Sequence, residues 1–440
     1  DAFNTAVGYS SGIAVTTGIK NTLVGSLAGD ALTSGSYNTA LGNGALSSED
    51  AHGKNVAIGY QALVAQNAGS DAYNVAVGFE AGHDLIQGLQ NTLVGGFAGC
   101  KITSAQYNTS LGYQSLASNL IGDNNTALGF KALEDFVADT DGHGGNTAVG
   151  SSSMSNLSTG TENTAVGGLA MGTGVTTGIY NTAVGYGAGN QLTSGQYNVL
   201  VGGNAGTAIT TGESNVIIGL NAGDALVEGH DNVAIGQSAL SSENAHGRNT
   251  AIGHQTLSTL DAGANANNVA VGYHAGTLMT SGVQNTIIGS ESGDAITSGD
   301  DNTSLGYFSL SANTVGNNNI AIGVSALATN VASDRNVAIG NNALNAMTSA
   351  STVDSYNTAI GHAAGSAITS GVQNTLIGAN VGVRITAGQK NTIIGEGADV
   401  ASGGGGTDNA IVIGHDAEAL GANTTVIGTA TTTNAVVHGL

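Results

Sequence analysis

Proline and tryptophan are absent from this 440-residue chain, and aromatic residues make up only 4% of it. A core built on large rings is therefore excluded, and Ala, Val, Ile and Leu must fill the interior. Cys100 is the one cysteine, so no disulfide within the chain can stabilise the fold. The sequence also lacks an apolar run of about 18 residues, and it predicts no insertion into a membrane.

Positive charge is scarce as well. The chain carries 8 Lys and Arg against 30 Asp and Glu, for a formal net charge of -22. So few basic side chains cannot neutralise many phosphates, which argues against nucleic acid and anionic membranes as partners. We interpret the acidity as a contribution to solubility, with a dedicated cation site as the alternative.

A short repeat accounts for most of the chain, and the segment Asn181–Tyr197 (NTAVGYGAGNQLTSGQY) represents it. It starts 23 times, always with Asn first and Gly four residues later, at spacings of 17 and in a few cases 18, 19 or 21 residues. A fixed period of this size indicates a solenoid, in which each repeat forms one coil on the next. Counting two further coils near the end, we predict an all-β parallel β-solenoid, or β-roll, of about 25 coils.

The first and fifth positions of the repeat favour turns. Asn tolerates the left-handed backbone conformation, and stacked Asn side chains can form a hydrogen-bonded ladder. Gly permits a bend that a Cβ would make costly. The predicted ladder includes Asn4, Asn21, Asn38, Asn181, Asn198, Asn215, Asn374 and Asn391, and the predicted turn glycines include Gly8, Gly25, Gly185, Gly202 and Gly219.

The strand between these turns has apolar residues on both faces. Its fourth position is always Val, Leu or Ile, so we expect the second and fourth residues to face the core and the third to face outward. The outward residues would then form an apolar stripe that soluble monomers rarely expose, which predicts assembly with other copies of the chain. The predicted oligomer stripe consists of Leu23, Leu93, Leu200, Ile217, Ile287, Leu376 and Ile393.

The second half of the repeat has two forms. In Gly-type coils Gly stands eight residues after the Asn, whereas Leu stands there in Leu-type coils. A larger duplication is superimposed, because Asn38–Lys54 matches Asn232–Arg248, so that His52 and His246 are copies of each other. All 12 Tyr flank the strands. We expect their rings to stack for structural reasons, with a sugar-binding strip as the alternative.

No motif of a hydrolase, a nucleotide-binding loop or a zinc-spaced Cys/His set occurs in a supporting context, and the sequence predicts neither an enzyme nor a cofactor. The insertion Glu134–Gly145 contains Asp139 and Asp141, which resemble the start of a calcium loop without its later ligands. A solvated acidic loop is the simpler interpretation, and calcium is the alternative.

The segment Asn409–Gly428 resembles the 14-residue head repeats of trimeric autotransporter adhesins. The units from Asn4 to about Asp408 look like the related repeats in tail fibres and tailspikes of tailed phages. We therefore divide the chain into a solenoid of 17-residue-type repeats at 1–408, adhesin-head-type coils at 409–428 and an exit toward a neck or a further domain at 429–440. The resemblance implies a homotrimeric fibre outside the cell or on a virion.

Three functions remain open, because a fold does not define a function. The first is a structural and adhesive fibre that reaches a glycan or protein receptor on a cell surface. The second is an ice-binding solenoid, which we rank lower because its single file of Thr is expected to face inward. The third is a tailspike-type glycan hydrolase, which would require paired carboxylates in a groove.

Overall fold

The computed structural model describes residues 2–348, 353–429 and 431, which form strands and turns without a helix. The chain divides into two compact units, Asp1–Glu228 and Gly229–Leu440. In each unit successive coils place their short strands side by side in parallel, about 17 residues apart. The predicted all-β parallel β-solenoid of about 25 coils is thus confirmed.

The first unit contains 13 strands of three residues each, and every strand pairs in register with the next. Thr5, for example, is opposite Thr22, and Val199 is opposite Val216. The strands are β1 (Thr5–Val7), β2 (Thr22–Val24), β3 (Thr39–Leu41), β4 (Val56–Ile58), β5 (Val75–Val77), β6 (Thr92–Val94), β7 (Thr109–Leu111), β8 (Thr126–Leu128), β9 (Thr147–Val149), β10 (Thr164–Val166), β11 (Thr182–Val184), β12 (Val199–Val201) and β13 (Val216–Ile218).

The second unit continues the same pattern and adds a short second sheet near its end, where β24 pairs with β26. Its strands are β14 (Val233–Ile235), β15 (Thr250–Ile252), β16 (Val269–Val271), β17 (Thr286–Ile288), β18 (Thr303–Leu305), β19 (Ile320–Ile322), β20 (Val337–Ile339), β21 (Thr358–Ile360), β22 (Thr375–Ile377), β23 (Thr392–Ile394), β24 (Asp399–Val400), β25 (Ile411–Ile413), β26 (Glu418–Ala419) and β27 (Thr425–Ile427).

The coil changes near the boundary expected at 408/409. Ile411 pairs with Thr425, which stands 14 residues later, whereas earlier pairs are usually 17 apart. The second sheet already begins at Asp399, so this coil gains an extra strand ahead of the short repeat. Of the predicted exit segment at 429–440, residues 430 and 432–440 lie outside the described residues.

The strand face that is buried is the opposite of the predicted one. In β12 the middle residue Leu200 is fully buried, while Val199 is 37% exposed. The same alternation recurs along both units, with the middle residue buried and its two neighbours partly or largely exposed. The predicted stripe of Leu23, Leu93, Leu200, Ile217, Ile287, Leu376 and Ile393 is therefore wrong as an oligomer surface, because all seven side chains are at most 1% exposed within the single chain.

The physical reason is that two positions of each coil fill the same part of the core. They are the middle residue of the strand and the residue that stands eight positions after the Asn. A Cβ placed on Gly223 would lie 3.1 Å from Cδ1 of Ile217, which fills that space in its Gly-type coil. In the Leu-type coil of Asn38 the roles are exchanged, and a buried Leu46 accompanies a small Ala40. Close packing allows one large side chain at this level of the core, so the third residue must face inward.

Candidate functional site

The asparagine that starts each coil lies in a buried column. Asn181 donates its backbone N–H to Oδ1 of Asn163 at 2.9 Å and its Nδ2–H to the carbonyl of Gly195 at 2.9 Å. Its own Oδ1 accepts the backbone N–H of Asn198 at 3.0 Å. Of the predicted ladder residues, Asn21, Asn38, Asn181, Asn198, Asn215, Asn374 and Asn391 are at most 1% exposed, and Asn4 in the first coil is partly buried. This column connects successive coils through hydrogen bonds, which gives it a structural role.

The turn glycines lie where successive coils approach most closely. Gly185 has φ +137°, and a Cβ there would overlap the carbonyl oxygen of Gly202 in the next coil. Gly8, Gly25, Gly202 and Gly219 have φ values of +137° to +139°. This backbone conformation is open to glycine and strained for other residues, so these positions have a structural role.

The second and fourth strand residues form the outer face of each sheet. From β1 to β23, the second position of each repeat is Thr, Val or Ile, and the fourth position is Val, Leu or Ile. The described outer face in both units therefore carries no charged side chain. Two parallel files result, with about 4.8 Å between neighbouring strands and about 6.6 Å between the files. The face consists of Thr, Val, Ile and Leu side chains and is partly exposed to solvent.

An aromatic strip lies beside the sheet of the first unit. Five rings on five successive coils contact one another, with centroids 5.1 to 5.9 Å apart: Tyr60, Phe79, Phe97, Tyr113 and Phe130. Tyr60, Phe79, Tyr113 and Phe130 are each 44 to 49% exposed. A stack of this kind can stabilise the turns or present ring faces to a ligand.

Two acidic clusters lie at equivalent places in the duplicated segments. The Glu49 cluster consists of Glu49, Asp50 and His52, and the Glu243 cluster consists of Glu243, His246 and Asp261. In each cluster one ligand atom from every residue lies within 4.8 Å of the others. Both clusters combine a fully buried glutamate with a half-buried histidine and an exposed aspartate.

The glutamates are held in the interior by their own turns. Oε1 of Glu49 accepts the backbone N–H of His52 at 3.1 Å, and Oε1 of Glu243 accepts that of His246 at 3.1 Å. Oε2 of each glutamate is buried and has no hydrogen-bond partner among the described residues. Burial raises the pKa of both carboxyls, and the backbone hydrogen bond and the imidazole partly offset that increase.

Sequence reasoning did not find these clusters. It treated His52 and His246 only as marks of the duplication, because their spacing from other His and Cys residues fits no zinc motif. In the Glu243 cluster Asp261 comes from the next coil, so linear spacing does not show it, whereas Glu49, Asp50 and His52 lie within four residues of one another. A signal was available in both copies, because a charged glutamate stands at a position that other coils fill with an apolar residue or with a neutral amide such as Asn119.

The predicted calcium residues lie elsewhere. Oδ1 of Asp139 contacts Nδ1 of His143 at 3.1 Å, and both side chains are more than half exposed. Asp141 lies near Asp123, whose pKa is raised by burial and further by the charge of Asp141. Among the described residues, neither Asp139 nor Asp141 belongs to a group of three His, Cys, Asp or Glu side chains close enough to share an ion.

No protein-family model matches the chain, and a search of curated proteins gives no significant match. The resemblance to adhesin heads and phage fibres thus rests on the repeat residues and on the fold class. Among the described residues, no helix has the length and hydropathy that crossing a bilayer requires.

Proposed function

We propose that this chain is the shaft of a fibre that lies outside the cell or on a virion, where several copies pack together and hold an attachment site away from a surface. The observation that carries the proposal is the outer face of each unit, which consists of Thr, Val, Leu and Ile and has no charged side chain on any strand from β1 to β23. The fourth position of every repeat is aliphatic on this face, and soluble monomers rarely expose large apolar surfaces. Packing against the same face of other copies removes it from water.

The size of the face suits such an interface. Thirteen strands at about 4.8 Å each make the face of the first unit about 60 Å long, and two files of side chains make it about 10 Å wide. The area is on the order of 600 Å² in this unit alone. Stable interfaces bury roughly 800 Å² per partner, so the face of one unit supplies most of that area.

Closing this face against the same face of other copies around a common axis buries it, and the resemblance to trimeric adhesins favours three copies. Light scattering on the purified chain tests this proposal. We expect a stable trimer at micromolar concentration. A stable monomer with a native circular dichroism spectrum would contradict it.

The attachment site is placed on the aromatic strip of the first unit, with a cell-surface glycan as the receptor class. Its partly exposed rings offer apolar surface that a sugar ring can contact. A glycan array with the intact chain tests this assignment. We expect the variant Phe79→Ser/Phe130→Ser to lose binding, whereas Tyr180→Ser/Tyr197→Ser, which removes a separate stacked pair, should retain it. Equal binding by both variants would place the receptor contact elsewhere.

Ice binding is the second candidate, and one observation favours it. The file of Thr residues lies on the outer face, where it can contact a lattice. The sequence had predicted an inward orientation, which would have prevented that contact. Thr92, Thr109 and Thr126 stand on neighbouring strands at the regular strand spacing. A monomer that shapes ice crystals and shows thermal hysteresis would support this function against the fibre.

A further inference from the structure

The two acidic clusters each contain a buried carboxylate oxygen that the protein leaves unpaired. The side chains of Glu49 and Glu243 are 0% exposed, and Oε2 of each has no hydrogen-bond partner in the described structure. Burial of an unpaired charge is costly, so such a group is paired, protonated or bound to a metal. The arrangement occurs once in each unit.

Other coils show how this position is normally satisfied. Asn119 stands at the place of Glu49 in its coil, where its Oδ1 accepts the N–H of Gly122 at 2.9 Å and its Nδ2 donates to the carbonyl of Gly122 at 2.8 Å. Asn313 repeats both contacts with Gly316. Oε1 of Glu49 likewise accepts the backbone N–H three residues later, that of His52. Its Oε2, however, is an oxygen where Asn119 has the donor Nδ2. An ionised carboxylate cannot donate, so this oxygen can only accept, either from a hydrogen-bond donor or from a cation.

The histidine lies at the distance that a shared metal ion would set. Nδ1 of His52 is 3.7 Å from Oε1 of Glu49, and Nδ1 of His246 is 3.5 Å from Oε1 of Glu243. Both nitrogens are buried without a hydrogen-bond partner. Two ligands of a tetrahedral zinc ion at about 2.0–2.1 Å from it stand about 3.3 Å apart. These separations are long for a hydrogen bond and close to a ligand–ligand edge.

The third side chain differs between the clusters in a compensating way. Asp50 and Asn67 occupy the same position in two successive coils, and their equivalents in the duplicate are Asn244 and Asp261. Each cluster therefore retains one aspartate, but the aspartate lies in the first coil of one pair and the second coil of the other. The glutamate, the histidine and one aspartate are common to both copies.

We propose that each cluster binds one divalent transition-metal ion, with zinc as the best fit. Imidazole and carboxylate ligands suit zinc better than calcium or magnesium, which take oxygen ligands alone. Three protein ligands leave a fourth position for water. The ion neutralises the buried glutamate and connects neighbouring parts of the coil, so it stabilises the solenoid at two places.

The test uses the intact chain, freed of metal with a chelator and then titrated with zinc by calorimetry. We expect two zinc ions per chain, one for each cluster. Glu49→Gln and Glu243→Gln should each remove one ion, and the double variant should bind at least tenfold more weakly at both. Gln66 occupies the same position in the next coil with its amide hydrogen-bonded, so the glutamine variants are expected to fold, which circular dichroism checks.

Asp224→Asn is the matched control, because Asp224 also has a buried carboxylate oxygen without a hydrogen-bond partner but belongs to neither cluster. It should bind two zinc ions as the parent does. Asp50→Asn should weaken the first site, and adding Asn67→Asp, which reproduces the arrangement of the second cluster, should restore it. Zinc uptake that is absent in the parent, or unchanged in the Glu49→Gln/Glu243→Gln variant, would overturn the proposal.

Discussion

Each asparagine of the column satisfies backbone groups in its own coil and in the next. Because these contacts are buried, removal of one amide leaves several partners without hydrogen bonds, and such groups are costly in a dry interior. The same residue type can therefore recur in every coil without any catalytic role.

Asn181→Ala is the first test at this scale. The change leaves the carbonyl of Gly195 and the backbone N–H of Asn198 without the partners that Asn181 supplies. We expect the free energy of unfolding to fall by about 1–3 kcal/mol, measured by denaturant unfolding. Ser194→Ala, at an exposed position of the same coil, should change it little. Equal losses in the two variants would refute the role of the ladder.

Asp224 offers a test of pH dependence. Burial raises the pKa of its carboxyl above the ordinary value, and a hydrogen bond from its own backbone N–H offsets this only in part. The unfolded chain therefore releases this proton at lower pH than the folded chain, so the aspartate reduces stability as pH rises from about 3.9 through the raised pKa. In Asp224→Asn this loss should disappear. The advantage of the variant should be smallest at low pH and grow toward neutral pH, and the opposite trend in chemical denaturation would contradict the assignment.

At the level of the element, the sequence predicted the coil, but it did not predict which face of the strand is buried. Asn and Gly at fixed positions define the turns, so the period, the strands and the parallel order follow from the sequence. Both faces of the strand are apolar, so alternation alone could not decide which face is buried. Covariation carried the missing information. Coils with a large third residue such as Ile217 have Gly eight residues after the Asn, apart from the coil of Ile393, where Asp399 stands at that place. The coil with Leu240 at that place has a small Ala234.

That covariation can be tested by converting one coil type into the other. Ile217→Ala should lower the free energy of unfolding by about 2–5 kcal/mol because it leaves a cavity. Gly223→Leu should lower it by about 1–3 kcal/mol through overpacking, since the three atoms nearest to a Cβ there belong to Ile217. Leu240 in a Leu-type coil has the same φ of 52° as Gly223, so the backbone accepts the change.

The double variant Ile217→Ala/Gly223→Leu should lose less stability than the sum of the two single losses, by about 1 kcal/mol or more. Thermal unfolding of the four proteins completes the double-mutant cycle. Strict additivity would show that the two side chains do not share one space.

The metal clusters illustrate what sequence reasoning could not reach. A glutamate in a core position was visible, and in the first cluster Asp50 and His52 stand close to it in the sequence. In the second cluster Asp261 follows Glu243 by a full coil, and only the winding of the solenoid brings their carboxylates together. The second cluster is therefore a property of stacked coils rather than of a linear motif.

At the scale of the whole molecule, repetition converts a small local feature into a large surface. A Thr or Val in one coil is an ordinary exposed residue, but the same position repeated on successive strands produces an extended uncharged face in each unit. Polar and charged residues occur in the turns of the same coils, where Glu80 and Lys131 lie beside the strip of aromatic rings. The chain therefore places its charge away from the outer face, which is the distribution that an interface between copies requires.

Lysine substitutions on the outer face test this interpretation. In Val149→Lys/Val184→Lys two charges enter β9 and β11 on the face that we place between copies of the chain. Burying an unpaired ammonium in such a contact is costly, so light scattering should show the mass of one chain while circular dichroism retains the β-solenoid spectrum. Gln87→Lys/Gln191→Lys adds the same charge at exposed turn positions and should leave the oligomer intact. If the turn variant dissociates the assembly as fully as the strand variant, net charge rather than the outer face controls association.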